Sequence, residues 1–165
     1  MKSSISISRK IKPYNKVIQI DGDKSLSIRW ALLASQAMGK SKAYNLLKSE
    51  DVLDTLNCLK TLGIKIKDKK KYCEIHGKGI NSFNYKNNLV LNAGNSGTLG
   101  RLILGLLVHS PKKIRLIGDR SLSKRDFSRV TEPLKKIGGK FYFKKKNKLP
   151  LSMLGTKFAK PINYN

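Results

Sequence analysis

Residues 21–29 read Asp21-Gly-Asp-Lys-Ser-Leu-Ser-Ile-Arg29. A predicted strand, Val17–Ile20, runs into this glycine turn, and an apolar run through Ala31, Leu32 and Leu33 leaves it as a predicted helix. A helix start carries unpaired backbone N–H groups and the positive end of the helix dipole, so it suits an anion. Lys24 adds a point charge, Ser25 a hydroxyl donor and Arg29, one turn in, a planar fork. The stretch reads as a clamp for phosphate or carboxylate. An ordinary capped helix with solvated charges uses the same residue types, so alone it leaves both readings open.

The pattern occurs twice. Gly94-Asn-Ser-Gly-Thr-Leu-Gly-Arg101 repeats it at an offset of 72 residues, with Gly22 on Gly94, Asp23 on Asn95, Lys24 on Ser96, Ser25 on Gly97 and Arg29 on Arg101. The copy also follows a predicted strand, Leu89–Leu91, and opens an apolar helix. Downstream, Asp51-Val-Leu…Leu59…Leu62-Gly63-Ile-Lys65-Ile66 parallels Asp126-Phe-Ser…Leu134…Ile137-Gly138-Gly-Lys140-Phe141. A lysine-rich turn and a short alternating strand follow in each half, Tyr72–Gly77 and Leu149–Gly155. These halves are an internal duplication, each unit reading strand, helix, strand, helix, strand, strand.

The duplicated unit resembles the enolpyruvyl transferase family, and within it the EPSP synthases, over essentially the whole chain. The blocks that carry the resemblance are Gly22-Asp-Lys-Ser-x-Ser-x-Arg29, Asn45-Leu-Leu-x-Ser-Glu-Asp51, Gly94-Asn-Ser-Gly-Thr98 with Arg101, and Gly118-Asp-x-Ser-Leu-Ser-Lys-Arg125. Periodicity alone gives only an α/β layer fold. The resemblance implies an inside-out α/β barrel lobe built from βαβαββ units, of which this chain holds about two of the family's six, at about 16–80 and 85–157. It implies that residues 1–12, with the alternating Ser4–Ser8, form a strand joining an opposite lobe, and that residues 13–165 form a partial lobe. Asp21 and Asp126 stand where the family usually has proline, which would stiffen both turns. Asp126 is close enough in sequence to weaken the charge of Arg125.

The resemblance also implies the reaction: the enolpyruvyl group of phosphoenolpyruvate passes to the 5-hydroxyl of shikimate 3-phosphate, with release of phosphate, on the shikimate route to chorismate and aromatic amino acids. No metal or organic cofactor is implied. Lys24, Ser25 and Arg29 would hold shikimate 3-phosphate; Lys24, Asn95, Gly97, Thr98 and Arg125 would hold phosphoenolpyruvate. Gly97 would offer its N–H closely, with freedom to take positive φ. The herbicide glyphosate would occupy the same phosphoenolpyruvate space. Arg101 is open between ligand and packing, and Lys124 is read as a solvated neighbour. The catalytic acid and base would come from the other lobe, so this chain carries half a site, and a complementary carboxy-terminal half is the implied partner. Full-length members are implied to be monomers.

Two other readings are weighed. The sister branch acting on UDP-N-acetylglucosamine typically has Lys-Asn where this chain has Lys24-Ser25. A non-catalytic module binding a polyanion is suggested by the net charge of +25, yet aromatics make up only 7% and no basic–aromatic stacking platform appears, so no nucleic-acid partner is expected. Lys69-Lys70-Lys71 and Lys144-Lys145-Lys146 occupy equivalent predicted hairpin turns.

Cys58 falls on the apolar face of the second helix and Cys73 opens a strand; with no paired-cysteine motif, reduced thiols and no metal are expected. His76 and His109 lack carboxylates at ligand spacing. The amino terminus lacks a signal-peptide apolar run and Leu99–Val108 is too short to span a bilayer, so a cytoplasmic chain without membrane contact is expected. Helices are predicted at Ser25–Met38 with a stripe of Leu26, Trp30, Leu33 and Ala37; at Glu50–Leu62 after an N-capping Ser49, with a stripe of Val52, Leu53, Leu56 and Leu59; at Gly97–Val108, buried on most sides; and at about Phe127–Ile137, with Pro133 inside.

Overall fold

The computed structural model describes residues 21–163. The predicted strands Ser4–Ser8 and Val17–Ile20, and the proposed boundary at residue 12, lie outside them. The first repeat shows α1 (Lys24–Gln36), β1 (Met38–Tyr44), α2 (Glu50–Thr61), β2 (Lys65–Asp68) and β3 (Tyr72–Lys78). The second shows β4 (Leu89–Asn92), α3 (Gly97–Leu107), β5 (Lys113–Ile117), α4 (Ser128–Ile137), β6 (Lys140–Lys145) and β7 (Lys148–Leu154), with a 3-10 turn at Leu122–Lys124 before α4.

The duplication is visible in strand order. One sheet runs β1-β3-β2, the other β4-β5-β7-β6, so β5-β7-β6 repeats β1-β3-β2. Those pairings are antiparallel, and β4 adds to β5 in parallel. Apolar residues meet across the strands on one face: Ile66 opposite Ile75, and Ile114 and Phe141 each opposite Met153. That face joins the helices in a continuous core containing Ile28, Val52, Leu56, Leu59, Ile75, Ile103, Ile114 and Leu151. Within it α1 packs on α2 and β3, α3 on α4, and α1 touches α3.

Four helix expectations, two in α1 and two in α2, need correction. Helix α1 stops at Gln36, because Met38 and Gly39 already pair with Lys78 and Gly77 in the sheet. Its buried face is Ser27, Ile28, Ala31, Leu32, Ala34 and Ser35, whereas Leu26 is 66% and Leu33 68% exposed. Small residues let α1 approach its neighbours closely, and that decides the buried face against the larger leucines. Ser49 precedes α2, but its hydroxyl makes no capping bond; its carbonyl takes the N–H groups of Val52 and Leu53. Leu53, predicted in the α2 stripe, is 39% exposed, while Thr55 and Cys58 are buried. Helix α3 buries Leu99, Ile103, Leu104 and Leu107 but leaves Leu102 partly open. Helix α4 continues through Pro133 to Ile137, with the fully buried Phe127 as its cap residue.

Candidate functional site

Asp23 caps α1, its Oδ1 accepting the Leu26 N–H at 2.6 Å, and makes Lys24 the first helical residue. The Lys24 Nζ lies 3.0 Å from Oδ2 of Asp51 in the first turn of α2. One turn further along α2, Asp54 meets the second glycine turn. Gly94 there has φ of +52°, and a β-carbon on it would sit 1.9 Å from Asp54 Oδ2. This position therefore needs glycine for both conformation and space. Desolvation, then the charges of Asp51 and Glu50, push the Asp54 carboxyl above its ordinary range.

The turn into α3 is capped by Ser96, whose Oγ accepts from Leu99 N at 3.3 Å and whose carbonyl accepts from Gly100 N at 2.9 Å. Among the described residues the N–H groups of Gly97 and Thr98 find no partner. Gly97 is not among the glycines of positive φ. Its role is space: a β-carbon would stand 2.8 Å from Arg101 Nη1 and 2.9 Å from Arg125 Nη1.

The segment between β5 and α4 closes the site. Asp119 N–H donates to the Gly94 carbonyl at 2.8 Å, and its Oδ1 accepts from Leu122 N at 2.6 Å, which fixes the turn before Arg125. Arg125 Nη2 then donates to Asn95 Oδ1 at 3.1 Å. Arg101 donates from Nη1 to the Gly97 carbonyl at 3.2 Å and from Nη2 to the Asp126 carbonyl at 3.1 Å, with its guanidinium over the Phe127 ring. It both packs and faces the site.

Lys24, Asp51, Asn95, Gly97, Thr98, Arg101 and Arg125 line one cavity of about 250 Å³. Of the residues singled out from sequence, Lys24, Asn95, Gly97, Thr98 and Arg125 thus meet around one space. Ser25 is half-buried on the first turn of α1 and Arg29 is exposed one turn later; Arg29 lines a separate apolar groove with Leu32, Leu33, Leu102 and Leu106. Lys124 is exposed. Asp51 carries no role in the sequence reading beyond its place in the family block Asn45–Asp51, which is the signal that could have found it.

Among the described residues Asp126 forms no ion pair with Arg125. Its carboxylate accepts from the Ser128 N–H at 2.6 Å and from the Ser128 hydroxyl, and these bonds hold its carboxyl below the ordinary range. His76, read as lacking a carboxylate, bonds Glu74 at 2.7 Å. Cys58 and Cys73 are buried and free, and burial pushes the Cys58 thiol up to about 12, which leaves it neutral. Among the described residues no helix is long and apolar enough to cross a membrane.

Chemically, among the described residues, three cations and the residues of two unpaired N–H groups line the cavity against one carboxylate. Such a space favours a compact polyanion.

The family model for EPSP synthase (3-phosphoshikimate 1-carboxyvinyltransferase) matches residues 8–165. The chain is 43% identical to the 3-phosphoshikimate 1-carboxyvinyltransferase of Streptococcus mutans over 148 residues, 89% of this chain and 34% of the relative. It is 39% identical to that of Zymomonas mobilis over 159 residues, 96% of this chain and 35% of the relative. The solved EPSP synthase of Acinetobacter baumannii superposes with a TM-score of 0.82 at 33% identity, covering 89% of this chain and 33% of that one. The chain spans about a third of the length of the curated relatives it matches. The mixed sheets and helices are those of a partial enolpyruvyl transferase lobe, and by the extent of these matches the chain belongs to the EPSP synthase family.

Proposed function

We propose that this chain supplies one wall of the site in which the enolpyruvyl group of phosphoenolpyruvate is transferred to the 5-hydroxyl of shikimate 3-phosphate. The supporting observation is the convergence of Lys24, Arg101 and Arg125 with the free N–H groups of Gly97 and Thr98 on one cavity. Both substrates carry a phosphate and a carboxylate. Bringing four anionic groups together in water is unfavourable, and fixed cations and oriented N–H groups offset it without reorganising. Lys24 is assigned to both substrates, Ser25 and Arg29 to shikimate 3-phosphate, and Asn95, Gly97, Thr98 and Arg125 to phosphoenolpyruvate.

In the addition step the 5-hydroxyl gives up its proton as its oxygen bonds to the central carbon of phosphoenolpyruvate, and the methylene carbon takes a proton. In elimination the C–O bond to phosphate breaks and a proton leaves the new methyl group. Arg125, held at Asn95, would orient the phosphate for departure. The proton-transfer groups are assigned outside this chain, to an opposing lobe supplied by a complementary carboxy-terminal half. Calorimetry of the 165-residue chain with phosphoenolpyruvate and shikimate 3-phosphate tests the site: weak binding lost in Lys24→Ala supports it, and equal heats for the two proteins overturn it. No phosphate release is expected from this chain alone. Release should appear on adding a complementary half that closes the site.

A further inference from the structure

We infer that Asp51 is a built-in counter-ion that an incoming anion must displace from Lys24, so that it weakens the binding of every anion that takes this lysine. The inference deepens the proposed reading of this cavity and rests on it. Asp51 is the only carboxylate among the seven described residues that line the space, and its Oδ2 stands 3.0 Å from Lys24 Nζ. Its side chain is 21% exposed while that of Lys24 is 52% exposed, so the carboxylate is the more enclosed partner. Asp51 sits in the first turn of α2, where a carboxylate suits the dipole, and its carbonyl takes the Thr55 hydroxyl at 2.8 Å. One turn on, Asp54 abuts Gly94, so α2 stands against both glycine turns.

The physical consequence is competition. A monoanion exchanges one ion pair with Lys24 for another and gains little. A dianion that also reaches Arg125 and the N–H groups of Gly97 and Thr98 gains several charge-assisted bonds at once. Asp51 therefore imposes one common cost on anions that take Lys24, which the several other contacts of a multiply held anion offset.

The test titrates sulfate and, separately, acetate into the full 165-residue chain at low ionic strength, following binding by NMR shifts. Asp51→Asn should tighten sulfate roughly three- to fivefold, the range of a half-exposed ion pair, and tighten acetate by no larger a factor, because the displacement cost is common to both and the carboxylate repels the dianion more. In a Lys24→Ala background the same change should give a smaller gain, that of the remaining repulsion alone. Melting temperature is read alongside; if Asn impairs folding, Asp51→Ser, tolerated at helix starts, replaces it. Unchanged or weaker sulfate binding in a folded Asp51 variant overturns the inference, as does an equal gain without Lys24. Sulfate binding that is identical in wild type, Lys24→Ala and Arg125→Ala overturns the cavity reading itself, and no binding by wild type or Asp51→Asn overturns both.

Discussion

Arg125 reaches across from the loop before α4 to donate to the side-chain oxygen of Asn95 at 3.1 Å. Those residues are thirty apart in sequence and belong to different motif blocks. The bond aims a guanidinium at the turn whose N–H groups are free, and it makes Asn95 a support for Arg125.

Replacing Arg125 with Ala should weaken phosphoenolpyruvate binding at least tenfold, the scale of a charged hydrogen bond of about 1.5–3 kcal/mol. Lysine should recover only part of the loss, since it keeps the charge without the fork. Asn95→Ala should have a smaller effect, because it frees Arg125 without removing it. Calorimetry on the three variants orders these effects; a larger loss for Asn95→Ala than for Arg125→Ala would make Asn95 the primary contact.

At Gly97 a methyl group meets the ends of two arginine side chains, at 2.8 and 2.9 Å, with a backbone that does not require glycine. Gly97→Ala should therefore leave the melting temperature unchanged or higher, since Ala in a helix gains roughly 0.5–1 kcal/mol over Gly. Anion affinity should fall as Arg101 and Arg125 are pushed aside. In a complete enzyme carrying this segment, the glyphosate inhibition constant should rise more than the KM for phosphoenolpyruvate, glyphosate being the longer molecule. A lowered melting temperature with equal effects on both ligands would reduce Gly97 to a shaping role.

Helix α1 offers a paired stability test. Ile28 is fully buried and Leu33 is 68% exposed. Ile28→Ala should lower stability by about 2–4 kcal/mol, whereas Leu33→Ala should change it by about 0.5 kcal/mol or less. Urea unfolding measures both. Similar losses would mean that the leucine face is covered in solution.

Two carboxylates should respond to pH with opposite sign. Hydrogen bonding to His76, then to Lys42, holds the Glu74 carboxyl below its ordinary value. The folded state thus favours its charged form, so its contribution is present above the unfolded value of 4.5 and lost as pH falls through the lower folded value. Glu74→Gln should destabilise at pH 7 and approach wild type in acid. Asp54 is raised above 3.8, so folding favours its neutral form and stability falls as pH rises through that window. Asp54→Asn should melt higher than wild type at pH 7, with the gap closing in acid. Parallel pH profiles for the two variants would contradict this pair of assignments.

The sequence by itself determined the duplication, the order of the described elements in each unit, and that Lys24, Asn95, Gly97, Thr98 and Arg125 belong to one site. These are legible because glycine turns, charge at helix starts and alternating strands are local, and a repeat states each of them twice. Only the tertiary structure decided how the two turns differ. Asp23 and Asn95 align, yet α1 is capped by Asp23 and α3 by Ser96, one position later in the repeat. The first turn therefore offers a charged side chain, Lys24, and the second offers bare N–H groups at Gly97 and Thr98. Which face of α1 is buried was also undecided by hydrophobicity, because close packing against α2 and β3 selects Ala31 and Ala34 over Leu26 and Leu33. Asp51 joins Lys24 through contact between α1 and α2, a distance no local pattern encodes.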